Sequence, residues 1–208
     1  MRKSLCVVVM LAAGCLLAQD LKPILLPQPQ TDGGRPLMQA LKERKTTRDF
    51  SAEKLPSQIL SNLLWAAFGV NRPDGKRTAP SAMNWQEIDI YVATSDGLFV
   101  YDARGNRLEP VLAQDVRPAT GSQSFAATAP MDLVYVADLS KVGSTQESDL
   151  FTYADAGFIA QNVYLFCASE GLATVVRGSI DRVALAKMMK LRPEQKIILA
   201  QTVGYPKK

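Results

Sequence analysis

Residues 150–169 read LFTYADAGFIAQNVYLFCAS, and this stretch decides the fold. Phe151, Phe158, Ile159, Val163, Leu165, Phe166 and Cys167 stand among alanines and glycine with few charges. The stretch predicts a helix apolar nearly all round, and such a helix is buried on more than one side. Gly171 supplies its stop, because glycine takes the left-handed turn that closes a helix. Before it, Met131 to Ala137 is almost wholly apolar and predicts a strand central in a sheet. After it come a short strand at Val175-Val176, a helix from Ile180 to Met189 and a last strand from Lys196 to Val203.

Working back towards the start, Leu55, Ile59, Leu60, Leu63, Leu64 and Phe68 keep helical spacing. They predict a helix from Pro56 to Phe68, ended by Gly69. A shorter helix from Pro36 to Glu43 places Leu37, Met38 and Leu41 on one face. Asn71 to Asn84 is polar and rich in turn residues, and Ile88, Ile90 and Val92 then alternate as a strand does. Asp96-Gly97 marks a hairpin into Leu98 to Tyr101, and Arg104-Gly105-Asn106 closes another. Residues 19–34, with three prolines and two glycines, predict an extended arm rather than a folded element. The order of elements gives one mixed α+β domain over residues 35–208.

Composition narrows the chemistry. The chain of 208 residues contains no histidine, which removes Ser-His-Asp and Cys-His nucleophilic machinery together with the usual first choice of zinc ligand. No metal site is expected. The net charge of +4 is spread along the chain, without the basic stripe and interleaved aromatics of a nucleic-acid binder. Arg2 and Lys3 precede an apolar run of 13 residues from Leu5 to Leu17, too short to span a bilayer comfortably and suited to a signal peptide. Cleavage after Ala18 would give an exported chain with residues 1–18 removed. The run Ala12-Ala13-Gly14-Cys15 offers a lipoprotein anchored through Cys15 as the alternative. Simple export leaves Cys167 as the single cysteine, so no internal disulfide is expected.

Three segments could carry chemistry. Arg44-Lys45-Thr46-Thr47-Arg48 puts three cations and two hydroxyls within five residues at the end of the first helix. That set suits a phosphate monoester, arginine through its fork and lysine and threonine at the remaining oxygens. A solvated, charged helix end is the plainer reading. Pro80-Ser81-Ala82-Met83-Asn84 offers short polar groups to the edge of a flat heterocycle, or is an ordinary turn. Arg177-Gly178 ends a strand beside a helix start, where free N–H groups can serve an anion or an electron-rich ring nitrogen, or where glycine meets only the needs of a tight turn.

In this order, over residues 35–206, the segments resemble the nitroreductase family. The branch of azoline-oxidising dehydrogenases is the most similar. Arg44, Lys45, Thr46 and Arg48, followed by Phe50, fall on the family's opening basic pattern. Pro80, Ser81, Ala82 and Asn84 fall on its proline-serine loop, Gly171-Leu172 on the turn after its long helix, and Gly204-Tyr205-Pro206 on its closing signature. The resemblance implies a three-layer α-β-α sandwich around a mixed sheet, an intertwined homodimer and bound flavin mononucleotide (FMN). It gives the phosphate and ribityl chain to Arg44, Lys45, Thr46 and Arg48. Pro80, Ser81, Ala82 and Asn84 would approach the isoalloxazine from the partner subunit, and the Arg177-Gly178 backbone would face N5. Lys207 or Lys208 would replace a basic contact that the family carries further on. The flavin bears the chemistry, so no catalytic side chain is expected. The substrate is a small organic molecule, and NAD(P)H, the usual donor, is cytoplasmic and hard to reconcile with export. A non-catalytic flavin or small-ligand binder on the same fold is the alternative.

Overall fold

The computed structural model describes residues 21–143 and 148–208. The segment read as a signal peptide, with Cys6 and Cys15, lies outside them. The elements follow in the order β1 (Ile24–Leu25), α1 (Leu37–Glu43), α2 (Ser57–Phe68), β2 (Ile88–Thr94), β3 (Gly97–Asp102), β4 (Arg107–Leu112) and α3 (Ser124–Thr128). Then come β5 (Met131–Asp138), α4 (Ser148–Glu170), β6 (Ala173–Arg177), α5 (Arg182–Met188) and β7 (Gln195–Gly204).

The strands form one sheet in the order β1-β4-β3-β2-β5-β7-β6. Every pairing in it is antiparallel, where a mixed sheet was expected. The short turns of the β2-β3-β4 meander allow no other sense, while β5, β6 and β7, joined by links long enough for parallel crossovers, each enter beside a neighbour running the opposite way. The α+β class and the layers stand. β5 is central and buried at all eight residues. Its alternate side chains feed two cores: Met131, Leu133, Tyr135 and Ala137 pack towards Leu63, Leu64, Ile159 and Val163 of α2 and α4. Val134 and Val136 pack towards Leu185 of α5 and Met189 just beyond it. Tyr91 and Ala93 of β2 join that second core, so the positions alternating with Ile88, Ile90 and Val92 are covered except Asp89, which stays half-exposed. Full burial of a leucine- or valine-sized side chain is worth about 1.5–3 kcal/mol, and both faces of β5 gain it.

The arm is bound, not free. Ile24 and Leu25 add a two-residue edge strand to Leu108 and Arg107, Leu26 is buried, and Gln30 N–H donates to Asn62 Oδ1 at 2.9 Å. Helix α4 turns Thr152, Asp155, Ala156, Ile159, Ala160, Val163 and Cys167 inward. Its other face leaves Leu150 64 %, Tyr153 49 % and Phe158 47 % exposed, beside Leu37, Met38 and Leu41 exposed on α1. A single chain therefore buries one side of α4 where burial on more than one was expected. Gly171, at φ +71°, ends the helix, and Leu172 N–H returns to Cys167 O at 2.8 Å.

Candidate functional site

Arg44 N–H caps α1 on Ala40 O, and from there the chain leaves the helix extended (φ −56°, ψ 120°). Thr47 N–H then donates to Thr174 O at 3.0 Å, which lays the basic segment along β6. Beyond it, Phe50 pairs with Pro206, Ser51 N–H donates to Tyr205 O at 2.9 Å and Lys207 N–H to Asp49 O at 3.1 Å. The closing Gly204-Tyr205-Pro206 is thus joined to the segment directly after Arg48. Glycine is required at 204 because a Cβ there would stand 2.7 Å from the Pro130 ring.

Tyr164, on α4, joins these parts, and reading the sequence missed it. Its hydroxyl lies 3.0 Å from Thr46 Oγ1 and accepts the Val176 N–H at 3.0 Å. The Arg44 guanidinium sits 5.3 Å from the centre of its ring, within the range of a cation–π contact. The signal was a single hydroxyl-bearing ring in the apolar half of α4. The Tyr164 side chain borders a cleft of about 500 Å³, lined also by Arg35, Lys42, Glu43, Lys45 and Thr174. That volume lies within the span of small-ligand sites. Three cations face one carboxylate there, and Glu43 is bonded to Arg35, so the lining keeps a positive excess suited to a phosphate dianion. Gly171 and Pro206 border both this cleft and an adjoining trough that reaches Lys207 and Lys208. Arg48 is exposed and borders neither.

The proline-serine segment lies elsewhere in the chain. Ala82 N–H donates to Asp155 Oδ2 at 2.8 Å, nine residues before Tyr164 on the same helix, about 13 Å along its axis. Pro80, Ser81 and Asn84 border a separate cleft with Arg77 and Gln86. Ser81 Oγ accepts the Gln86 N–H at 2.8 Å and Asn84 Oδ1 accepts Gln86 Nε2 at 2.9 Å. Both groups hold the loop itself. One chain therefore does not bring the Arg44 and Pro80 segments together around a single ligand.

Arg177 ends β6 with its side chain turned into the protein, 4 % exposed. Its guanidinium donates to Thr120 O at 2.8 Å, to Thr120 Oγ1 at 3.0 Å and to Asp132 Oδ1 at 2.5 Å. Asp132 also accepts from Thr202 Oγ1 at 2.5 Å and Thr120 Oγ1 at 3.0 Å. Burial pushes the Asp132 carboxyl up to about 6 against the pull of Arg177, so at neutral pH the two form an ion pair. Only the backbone of Arg177 and Gly178 can face a ligand. Gly178 borders an open cleft with Gly121, Ser122 and Ser179.

With this geometry in hand, comparison with known proteins gives a single answer. The model of the nitroreductase family matches residues 41–205. This chain belongs to the nitroreductase family. A Methanocaldococcus jannaschii protein named as a nitroreductase, MJ1384, is 29 % identical over 168 residues, covering 75 % of this chain and 85 % of that one. The crystal structure of a protein named likewise from Ralstonia eutropha is 45 % identical, covers 89 % of this chain and 90 % of its own, and superposes with a TM-score of 0.86. A Desulfovibrio desulfuricans protein of the same name, solved in complex with FMN, shares the fold at a TM-score of 0.63 and 20 % identity, over 85 % of this chain and 89 % of that one.

Proposed function

We propose that this nitroreductase-family chain is an FMN-dependent oxidoreductase acting on a small organic molecule, and that the basic segment holds the FMN phosphate. One observation carries the reading: Lys42, Lys45 and Thr47 line a cation-rich cleft closed by Tyr164, to which Thr46 is hydrogen-bonded. The donor set fits a phosphate monoester. Lys45 would meet it as a point charge and Thr46 as a hydroxyl donor, while Arg44, held over the Tyr164 ring, would offer its fork. Arg48 and Lys207, both exposed, would join them from the rim.

The chemistry supplied by bound FMN is two-electron transfer through N5. The work of this chain is to bind, orient and exclude water. The buried Arg177–Asp132 pair fixes the end of β6, so that the backbone at Arg177-Gly178 is held still at the ring. Pro80, Ser81, Ala82 and Asn84 serve the ring of a second chain, in keeping with their distance from the basic segment. The exposed apolar faces of α1 and α4, with Leu37, Met38, Phe158 and Tyr153, form the homodimer contact in this reading. Exposed apolar area of that kind marks an interaction surface.

The azoline-oxidising branch and export directed by residues 1–18 belong to the proposal. Among the described residues no helix is long and apolar enough to cross a membrane. Export would separate the enzyme from cytoplasmic NAD(P)H, so the reading keeps the reductant general. The protein purified and incubated with FMN is expected to retain a flavin spectrum through gel filtration and to bleach with dithionite and with a two-electron donor. Loss of all flavin on the column would overturn it.

A further inference from the structure

The loop from Ser81 to Gln86 carries unusual strain. Met83 (φ 48°), Asn84 (φ 56°) and Gln86 (φ 48°) all stand in the left-handed region, which residues with a Cβ avoid and which persists only where surroundings enforce it. Part of the enforcement is visible at the surface. Arg77 Nε donates to Gln86 Oε1 at 2.9 Å, and Gln86 Nε2 donates to Gly75 O at 3.2 Å. The rest is buried. Asp155 Oδ2 accepts the Ala82 N–H at 2.8 Å, and Ser81 Oγ lies 3.3 Å from Glu87 Oε2.

Glu87 is fully buried and Asp155 nearly so. They come from separate elements, the entry to β2 and the first half of α4, and they bond to adjacent residues of the loop, Ser81 and Ala82. Two carboxylates buried so close together do not both stay ionised. Glu87 Oε1 is buried without a partner among the described residues, an orphan that a proton held between the two carboxyl groups would satisfy. Among the described residues no cation answers the pair. Arg77 is committed to Gln86 and Phe68 O, Lys141 to Asp89, Arg192 to Asp138, and α2, packed against α4, has no ionisable side chain.

We propose that Glu87 and Asp155 share one proton and act together as a positioning pair that clamps the strained 81–86 loop. With the proton in place, Glu87 donates to Asp155, and Asp155 keeps a free oxygen for the Ala82 N–H. When it leaves, two buried anions repel, the clamp opens, and the strain in Met83, Asn84 and Gln86 drives the loop out. Burial raises the Glu87 carboxyl above its usual range, with Asp155 adding to the effect, so opening occurs as pH rises. The inference rests on the reading above only in giving this loop, with Pro80, Ser81, Ala82 and Asn84, to the flavin ring.

The test is hydrogen exchange of the 81–86 segment in the flavin-free full chain from pH 5 to 9, corrected for intrinsic rates, with FMN affinity measured at the same pH values. Wild-type protection is expected to fall at least tenfold as pH rises, and FMN affinity to fall with it. Glu87→Gln, which donates permanently, and Asp155→Asn, which keeps shape and hydrogen bonds, should each hold protection level across the range, while Asp155→Ala should leave it low throughout. Level protection in the wild type, or the same fall in either isosteric variant, would overturn the proposal. Failure of FMN to bind would count against the flavin reading alone, because the exchange readout needs no flavin.

Discussion

Replacing Tyr164 by phenylalanine deletes one oxygen from the wall of the cleft and leaves the ring in place. That oxygen lies 3.0 Å from Thr46 Oγ1 and 3.0 Å from the Val176 N–H. Each such hydrogen bond is worth about 0.5–1.5 kcal/mol net, so the sum of the two is about 1–3 kcal/mol. Val176 is only partly buried, which lets water recover some of the loss and places the expected destabilisation in the lower half, about 1–2 kcal/mol. The contact between Arg44 and the ring survives. Urea unfolding followed by circular dichroism should show a lower midpoint with unchanged slope. FMN affinity should fall by about fivefold to thirtyfold, as loss of 1–2 kcal/mol implies, because Thr46 loses its tether. An unchanged midpoint and affinity would refute the central place given to the hydroxyl. A loss above about 4 kcal/mol would show that ring packing, rather than the hydrogen bonds, was disturbed.

Gly121→Ala should destabilise the protein by about 1–3 kcal/mol or more, as overpacking does, since the new Cβ would fall 1.9 Å from the Arg177 guanidinium, which is itself buried and held; thermal unfolding measures it. Ile159→Ala, a cavity in the α4 face fully buried against the sheet, should cost about 2–5 kcal/mol and leave the spectrum of bound flavin unchanged. The Arg117 guanidinium holds the Asp115 carboxyl below its ordinary value. The folded-state value is therefore depressed, the contribution is present above the ordinary carboxylate range, and it is lost as pH falls; Asp115→Asn should flatten that part of the acid unfolding curve. If α1 and α4 meet a second chain, Phe158→Glu should convert a dimer into a monomer in analytical ultracentrifugation while the monomer's circular dichroism stays the same.

The elements with strong local pattern were legible from the residues alone. Leu63, Leu64 and Phe68 mark α2, the apolar run of β5 marks the sheet centre, and Gly171 marks the end of α4. Pairing was not legible, because β2 meets β5 and β5 meets β7 across long stretches of chain with no local signal for direction. The sense of those pairings, expected to be mixed from the family resemblance, is therefore visible only in the structure. The hairpin turn before β4 was legible at Arg104-Gly105-Asn106, but the extent of the strand was not, because Glu109 and Pro110 interrupt its pattern. Proline is tolerated there because β4 lies near the sheet edge, covered on its outer side only by the two residues of β1. The arm's prolines likewise hid a strand of two residues.

At the site, the basic segment was legible by composition, and its neighbourhood was not. Tyr164 and Asp155 lie far along the chain from Thr46 and Ala82, the residues they hold, and Glu87, though near Ser81, stands at the entry to a strand whose surroundings read as ordinary core. Arg177 was read for its backbone, and its guanidinium proved to belong to the Asp132 network. A buried arginine of this kind is recognisable only once Asp132 and Thr120 are seen to converge on it.

The measurement that bears most directly on the account is the affinity of the purified chain for FMN and for riboflavin, in the wild type and in Arg44→Ala and Lys45→Ala. If the basic segment holds the phosphate, FMN binds more tightly than riboflavin, and each variant weakens FMN by roughly tenfold or more, as loss of a charged hydrogen bond implies, while riboflavin is unaffected. Equal affinities for the two flavins, with both variants indistinguishable from the wild type, would contradict it.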